Sequence, residues 1–361
     1  MSFRRVAART ARATVTVAVV ATGAMTVVPA LLAGPAQAMT LTKPVVKLMT
    51  GVNQQVSCLS KALCVVVGYD DSSVGDVVAV RNGVPGHVSV VRHTDRLYSA
   101  SCPNSSGCVA LADPHSGVNA EFVAISKSGV VTSAKVVADT SGDTINAISC
   151  RKLTSCEVAG YNFFSNAIVA GTWNGKKLAL RSETAPKGSS DVGSSALACY
   201  GTSCELVGDA LQGTSTTIGL SLTLNGTKLG KIRISPGDVF GGVSCASRSV
   251  CYASGYNTTA AGIIVTIKNG APGSSSPSSS DLFGMACDGS KCTAAGEMTP
   301  PPTSPDAFWG TLVSVAAGKV TGTTVFEQSG GLDGVDRIGT FYAAAGSSHA
   351  HTKDFSLVIT G

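Results

Sequence analysis

Charge of one sign is scarce in this chain. Its 361 residues carry 27 Lys+Arg against 22 Asp+Glu, and four of the arginines (Arg4, Arg5, Arg9 and Arg12) crowd into the first dozen positions. Without those four, 23 basic residues face 22 acidic ones, a net of +1. That balance excludes the basic footprint of a nucleic-acid-binding protein. Helical periodicity is convincing nowhere, which excludes a helical domain. No long apolar run follows the one from about Val15 to Ala33, so no membrane span is expected beyond it. Enzyme signatures are missing as well: there is no Gly-x-Ser-x-Gly elbow, no His-Glu-x-x-His and no nucleotide loop. The Asp box of sialidase-type propellers (S-x-D-x-G-x-T-W) is also absent, and no cofactor is expected.

What is present begins with an export signal. A basic start, an uncharged apolar run and the small residues Ala36-Gln37-Ala38 match a cleavable secretory leader. The expected division is a leader over 1–38 and one domain over 39–361. That places the mature chain outside the cytoplasm, secreted or held at the cell envelope, as a monomer without a membrane span.

The stretch Ile148–Tyr161 (ISCRKLTSCEVAGY) is the unit of the rest. Two apolar runs flank a five-residue turn, with Cys150 and Cys156 at its ends. The same phrase occurs at Cys58/Cys64, Cys102/Cys108, Cys199/Cys204, Cys245/Cys251 and Cys287/Cys292, which with the first pair accounts for all twelve cysteines. First cysteines recur every 42 to 49 residues. Self-similarity at that period with strand-type content marks propeller blades. Each unit reads as four antiparallel strands, A to D. Asn-Gly hairpin signals between C and D stand at Asn82-Gly83, Asn174-Gly175, Asn225-Gly226 and Asn269-Gly270, with Ser128-Gly129 and Ala317-Gly318 as substitutes. A last unit, Val335–Gly346, keeps the shape without cysteine and lacks a fourth strand. Lys43–Leu48 supplies a spare one at the other end. The expected fold is therefore all-β: a seven-bladed β-propeller of four-stranded antiparallel blades. An N-terminal strand completes the last blade and closes the ring, which removes open sheet edges.

Zinc is the alternative use of paired cysteines, but zinc ligands are spaced by two to four residues and need four converging groups. Here each pair lies on one hairpin in an exported chain, so one disulfide is expected in each of blades 1 to 6. The phrase Ser-Cys-x5-Cys-x-Val-Ala-Gly, followed by Thr172-Trp173-Asn174-Gly175, resembles the cysteine-hairpin repeats of secreted bacterial β-propeller proteins. The likeness runs from about residue 43 to the end and is degenerate in the last unit. It implies a secreted propeller and brings no defined activity or catalytic residue with it.

In a repeat protein, a residue present in every unit builds the unit, and a site shows as a break in the pattern. Asp95, Asp143, Asp191, Asp238 and Asp281 recur before the first cysteines and read as turn residues. The position after the strand B glycine reads Tyr69, Asp113, Tyr161, Asp209, Tyr256 and Glu297 over six units, and Asp70-Asp71 doubles the acid in the first. Tyrosines that pack between blades and carboxylates that cap turns are the structural reading. The functional reading is a polar and aromatic ring on the rim shared by the B–C and D–A loops. The candidate ligand-binding residues are thus Tyr69, Asp70, Asp113, Tyr161, Asp209, Tyr256 and Glu297. Other breaks on that rim are His115, Phe163-Phe164, the long loop Glu297–Ala307 and His349-Ala350-His351. Two histidines at i, i+2 lack a third ligand fixed by spacing, so no metal is expected. The opposite rim carries Lys61, Arg151, Lys152, Arg248 and Lys291.

These features point to a non-catalytic binding protein that recognises an extracellular glycan or protein at the B–C/D–A rim. A carbohydrate-active hydrolase or lyase using rim carboxylates, and a structural envelope protein without a small ligand, are the alternatives.

Overall fold

The structure, a computed structural model, describes residues 46–360 apart from 51, 71, 105, 115–119, 138–141, 214, 227, 260–261, 300–307, 327–329 and 351–352. The expected leader and Lys43–Val45 lie outside these residues. Among the described residues no helix is long and apolar enough to cross a membrane.

Alternating and continuous apolar runs form the strands foreseen for them. Blade 3 runs in order through Asp143–Lys152, Ser155–Asn162, Ala167–Trp173 and Leu178–Thr184, each strand antiparallel to the next. Strands B and C are buried along most of their length, as in Ile263, Ile264 and Val265. A sheet sandwiched between two others must be apolar on both faces, and these strands are. Strand D faces outward and is largely exposed, as at Ala271–Ser278.

The blade count is a correction. The unit defined by the sequence, a contiguous four-strand meander with its own cysteine pair, occurs six times, so by that unit the propeller has six blades and not seven. The disulfides are Cys58–Cys64, Cys102–Cys108, Cys150–Cys156, Cys199–Cys204, Cys245–Cys251 and Cys287–Cys292, one per blade. Their Cα atoms stand 3.8 to 4.1 Å apart, closer than the 4.5 Å or more expected of a facing pair. The remaining sheet is of another kind. Gly331–Ile338, Phe341–Ala350 and Lys353–Thr360 make three strands, and Val46–Thr50 from the start of the described chain adds the fourth, with Val46 opposite Val358. It has Arg337 and Tyr342 where a blade has cysteines, and no disulfide. This closing sheet sits in the ring between blades 6 and 1. Its Leu332, Tyr342 and Ala344 pack on Ala295 and Leu312 of blade 6, and its Ala343 and Ala345 pack on Val56, Val66 and Val78 of blade 1.

Blade 4 departs from four strands. Its outer strand is broken into Lys228–Leu229 and Arg233–Pro236, both paired with Thr216–Asn225, so the sheet counts five. Leu229, just before the break, and Ile232, within it, turn in against the blade core.

Two devices beyond burial join the ring. The serine of the Ser-Cys phrase reaches the next blade: Cys102 N–H donates to Ser57 Oγ at 3.1 Å, Cys150 N–H to Ser101 Oγ at 2.8 Å and Cys287 N–H to Ser244 Oγ at 3.0 Å. At the closing junction Asp336 stands in for the serine and accepts from Cys58 N–H at 2.6 Å. On its other side the closing sheet is tied to blade 6 by Arg337, which donates to Thr293 Oγ1 at 2.8 Å.

Candidate functional site

The inner strands set the geometry of the centre. Every one, the closing sheet's included, carries a β-bulge at one place: the register skips one residue four positions before the first cysteine or its equivalent. A bulge leaves one residue unpaired and re-aims its side chain. The skipped residues are Gln54, Tyr98, Asn146, Ser195, Gly241, Phe283 and Asp333. The last six line a central cavity of about 340 Å³, which Gln55 also borders. Each of those six units thus brings one bulge residue to the channel, and its chemistry changes from unit to unit. Sequence reasoning passed these residues over. The available signal was a position at constant spacing from the cysteine whose residue type never repeats.

The seven candidates from the sequence are all half-buried, in the last few residues of a strand B or, for Asp70, just past it. None of the seven lines the central cavity itself, and they fall into separate groups rather than one uniform ring. In the first group the Arg96 guanidinium lies 4.8 Å from the centroid of the Tyr69 ring. Tyr98, a bulge residue, donates its hydroxyl to Asp113 Oδ2. Burial pushes the Asp113 carboxyl up, and the Tyr98 hydrogen bond and Arg96 oppose that rise. Tyr98 itself is raised, first by burial, then by Asp113, with a smaller contribution from Tyr161 of the next blade. In the second group Asp209 is pushed up to about 6 by burial. Tyr256 is raised by burial and then by the neighbouring charges of Asp209 and Asp281. In the third, the bulge residue Asp333 is pushed up to about 7 by burial and then by Glu297. Glu297 lies over Gly331, where an added Cβ would come within 2.5 Å of its Oε2.

Asp70 behaves otherwise. Its Oδ1 accepts from Ser72 N–H at 2.8 Å and Val74 N–H at 2.9 Å, which makes it the cap of its own B–C turn. Behind it, buried Asp76 is pushed up to about 7 by burial and then by Asp70. The recurring aspartates that read as turn residues do bond locally in places: Asp143 accepts from Asn162 Nδ2 at 2.7 Å and Asp238 from Ser235 Oγ at 2.5 Å. Asn146 is committed within the channel wall, donating to Ser194 O and accepting from Ser194 Oγ, each at 2.7 Å. Phe163 and Phe164 are exposed, edge to face with centroids 6.2 Å apart. Asp71, His115, residues 300–307 and His351 lie outside the described residues, as does the side chain of His349. Among the described residues no cluster of three or more His, Cys, Asp or Glu could hold a metal ion.

Chemically, the site offers aromatic faces beside carboxyl groups that burial raises, Asp113 among them, with Asp209 pushed up to about 6 and Asp333 to about 7, so that the protonated form is favoured at mildly acid pH. Such a carboxyl donates as well as accepts hydrogen bonds.

Known structures share this architecture. The chain is similar to the β-propeller domain of the Trilobed protease from Pyrococcus furiosus, with a TM-score of 0.55 and 7% identity over 85% of this chain and 95% of that one. It is likewise similar to Kuenenia stuttgartiensis hydrazine synthase, with a TM-score of 0.61 and 12% identity over 88% of this chain and 97% of that one. The fold is a β-propeller. At such identities the propeller likeness shows the fold alone. The sequence matches no protein-family model and no curated relative.

Proposed function

We propose that the protein is exported by its leader and acts outside the cytoplasm as a non-catalytic propeller that binds a carbohydrate at the B–C/D–A rim, centred on the channel mouth. Six disulfides in six blades suit an oxidising compartment. The observation that carries the ligand class is a tyrosine hydrogen-bonded to a carboxyl, Tyr98 to Asp113, with Asp209 near enough to Tyr256 for its charge to raise the phenol. Ring faces pack on the apolar side of a sugar, and carboxyls that both donate and accept satisfy its hydroxyls. The protease domain and hydrazine synthase are proteins of unrelated kinds, so they add nothing on the ligand.

A second reading has one observation in its favour. Asp333, on the channel wall, is pushed up to about 7 by burial and then by Glu297, which is the kind of unequal carboxyl environment a glycoside hydrolase or lyase uses. A glycan array followed by product analysis of each hit tests both. Binding without turnover, weakened about tenfold by Tyr256→Ala (about 1.4 kcal/mol), supports the binding protein. Turnover abolished by Asp333→Asn while binding persists replaces it with the enzyme. A confirmed glycan whose affinity ignores Tyr161→Ala and Tyr256→Ala removes the rim from consideration.

A further inference from the structure

On the rim opposite the channel mouth, between blades 4 and 5, lies a cavity of about 490 Å³. That volume is within the roughly 300–1,000 Å³ typical of small-ligand pockets. Glu205, Thr223 and Asn225 of blade 4 and Arg248 and Asn269 of blade 5 line it. Its shape comes from the two C–D hairpins: Asn269 and Gly270 both have positive φ (51° and 76°), and Ser221 Oγ donates across the blades to Gly270 O at 3.2 Å.

Glu205 is the anomaly. It directly follows the second cysteine of its blade, a position held by Val65, Val109, Tyr252 and Thr293 in four of the others. In the fifth, Glu157 is neutralised by Arg151, the residue after that blade's first cysteine, at 2.8 Å. Blade 4 has Tyr200 in place of that arginine. Glu205 is 3% exposed, its Oε2 accepts from Thr223 Oγ1 at 3.1 Å, its Oε1 has no hydrogen-bond partner among the described residues, and burial pushes the carboxyl up to about 7 against the pull of Thr223 and of the Leu222 backbone. Among the described residues no cation pairs with it. A buried carboxyl left half-satisfied is a cost that any neutral residue at this place would remove. Arg248, exposed on the neighbouring blade, lines the same cavity without reaching it. Among the described residues, then, one wall holds an acid lacking a cation, and the next blade brings a guanidinium lacking an anion.

We propose that this cavity is a second binding site, for a small zwitterion of the short-peptide type, with its ammonium at Glu205 and its carboxylate at Arg248. The site is independent of the rim proposed above and lies at the other end of the ring. A guanidinium fork matches a carboxylate, and an ammonium supplies the donors that Glu205 lacks.

The test is calorimetric titration of the intact protein with L-alanyl-L-alanine, beside its N-acetyl and C-terminal amide derivatives. Expected is saturable binding of the dipeptide, with each derivative weakened about tenfold or more because one charge-assisted contact is lost. Glu205→Gln should weaken the dipeptide to the same degree, and Arg248→Ala should weaken it without further loss on amidation. Glu205→Gln is of equal size, removes a buried acid and can still accept from Thr223, so it should fold at least as well as the parent. No saturable binding at millimolar dipeptide, or binding unchanged by Glu205→Gln or by N-acetylation, overturns the proposal.

Discussion

The closing junction hangs on one carboxylate, and Asp336 is the place to perturb it. Its Oδ2 accepts Cys58 N–H at 2.6 Å and Ser57 Oγ at 3.4 Å, and its Oδ1 accepts Arg337 N–H at 2.7 Å. Replacing it with alanine strands the Cys58 N–H in a packed interface. An orphaned buried donor costs about 1–3 kcal/mol. That is a fall in Tm of roughly 2–12 °C, since about 2–4 °C accompanies each kcal/mol in domains of 150–250 residues. Asp336→Ser is the informative partner, because serine makes the same latch at Ser57, Ser101 and Ser244. It should recover most of the loss.

The two variants also differ in pH response. Burial pushes the Asp336 carboxyl from 3.8 to about 6, against the pull of its hydrogen bonds. A folded-state pKa above the unfolded one means that folding takes up a proton. The resulting stabilisation is complete below pH 3.8 and is lost as pH rises through about 6. A shift of that size is worth at most about 3 kcal/mol. The serine variant has no such dependence, so its Tm should gain on the parent between pH 4.5 and 7.5. Scanning calorimetry at those two pH values, under non-reducing conditions, measures both effects. An alanine variant that melts within 1 °C of the parent, or a serine variant that melts like the alanine one at both pH values, refutes the latch.

Two further outcomes follow from packing and covalent structure. Trp173 stacks on Phe122 of the preceding blade with centroids 4.1 Å apart, under Lys135 Nζ at 5.2 Å, so Trp173→Ala should cost about 3–5 kcal/mol in chemical denaturation and Trp173→Phe clearly less. Replacing both Cys150 and Cys156 with alanine opens a loop with a sequence separation of 6 and should cost about 2 kcal/mol while leaving the ring closed by small-angle scattering; a change in overall dimensions would show that the bridge does more than fix its hairpin.

The architecture was legible because repetition multiplies weak signals. Six cysteine pairs at one period located the A–B hairpins, and the missing cysteines after Cys292 marked the closing sheet, although reading it as a seventh copy of the blade overstated its likeness. Turn signals were legible in type but not always in detail. Asn82-Gly83 and Asn269-Gly270 adopt positive φ at both residues, as does Ala317-Gly318 despite its alanine. Asn174 does not; its Oδ1 instead accepts from Lys176 and Lys177 N–H at 3.0 and 2.7 Å, a side-chain turn that the same dipeptide also permits. The broken outer strand of blade 4 was hidden because Leu229 and Ile232 look like ordinary strand residues. The site was legible only in part. The tyrosine and carboxylate positions were found by their alternation, but their partners Tyr98 and Asp333 come from a bulge. An extra residue in a strand leaves no mark on hydrophobic alternation that is already imperfect. The serine of Ser-Cys is plain in four of the six repeats, yet its acceptor role exists only between blades.

The clasp between Val46–Thr50 and Lys353–Thr360 also bears on timing. Val46 must wait for Val358, 312 residues downstream, before its ladder can form. Blades made of neighbouring segments can assemble one by one, each stapled by its own sulfurs once the chain meets an oxidising compartment, but Val46–Thr50 stays single until Lys353–Thr360 is in place. Completion of this molecule is therefore a late event with a high loop-closure cost, and its slowest step should be the meeting of its two ends.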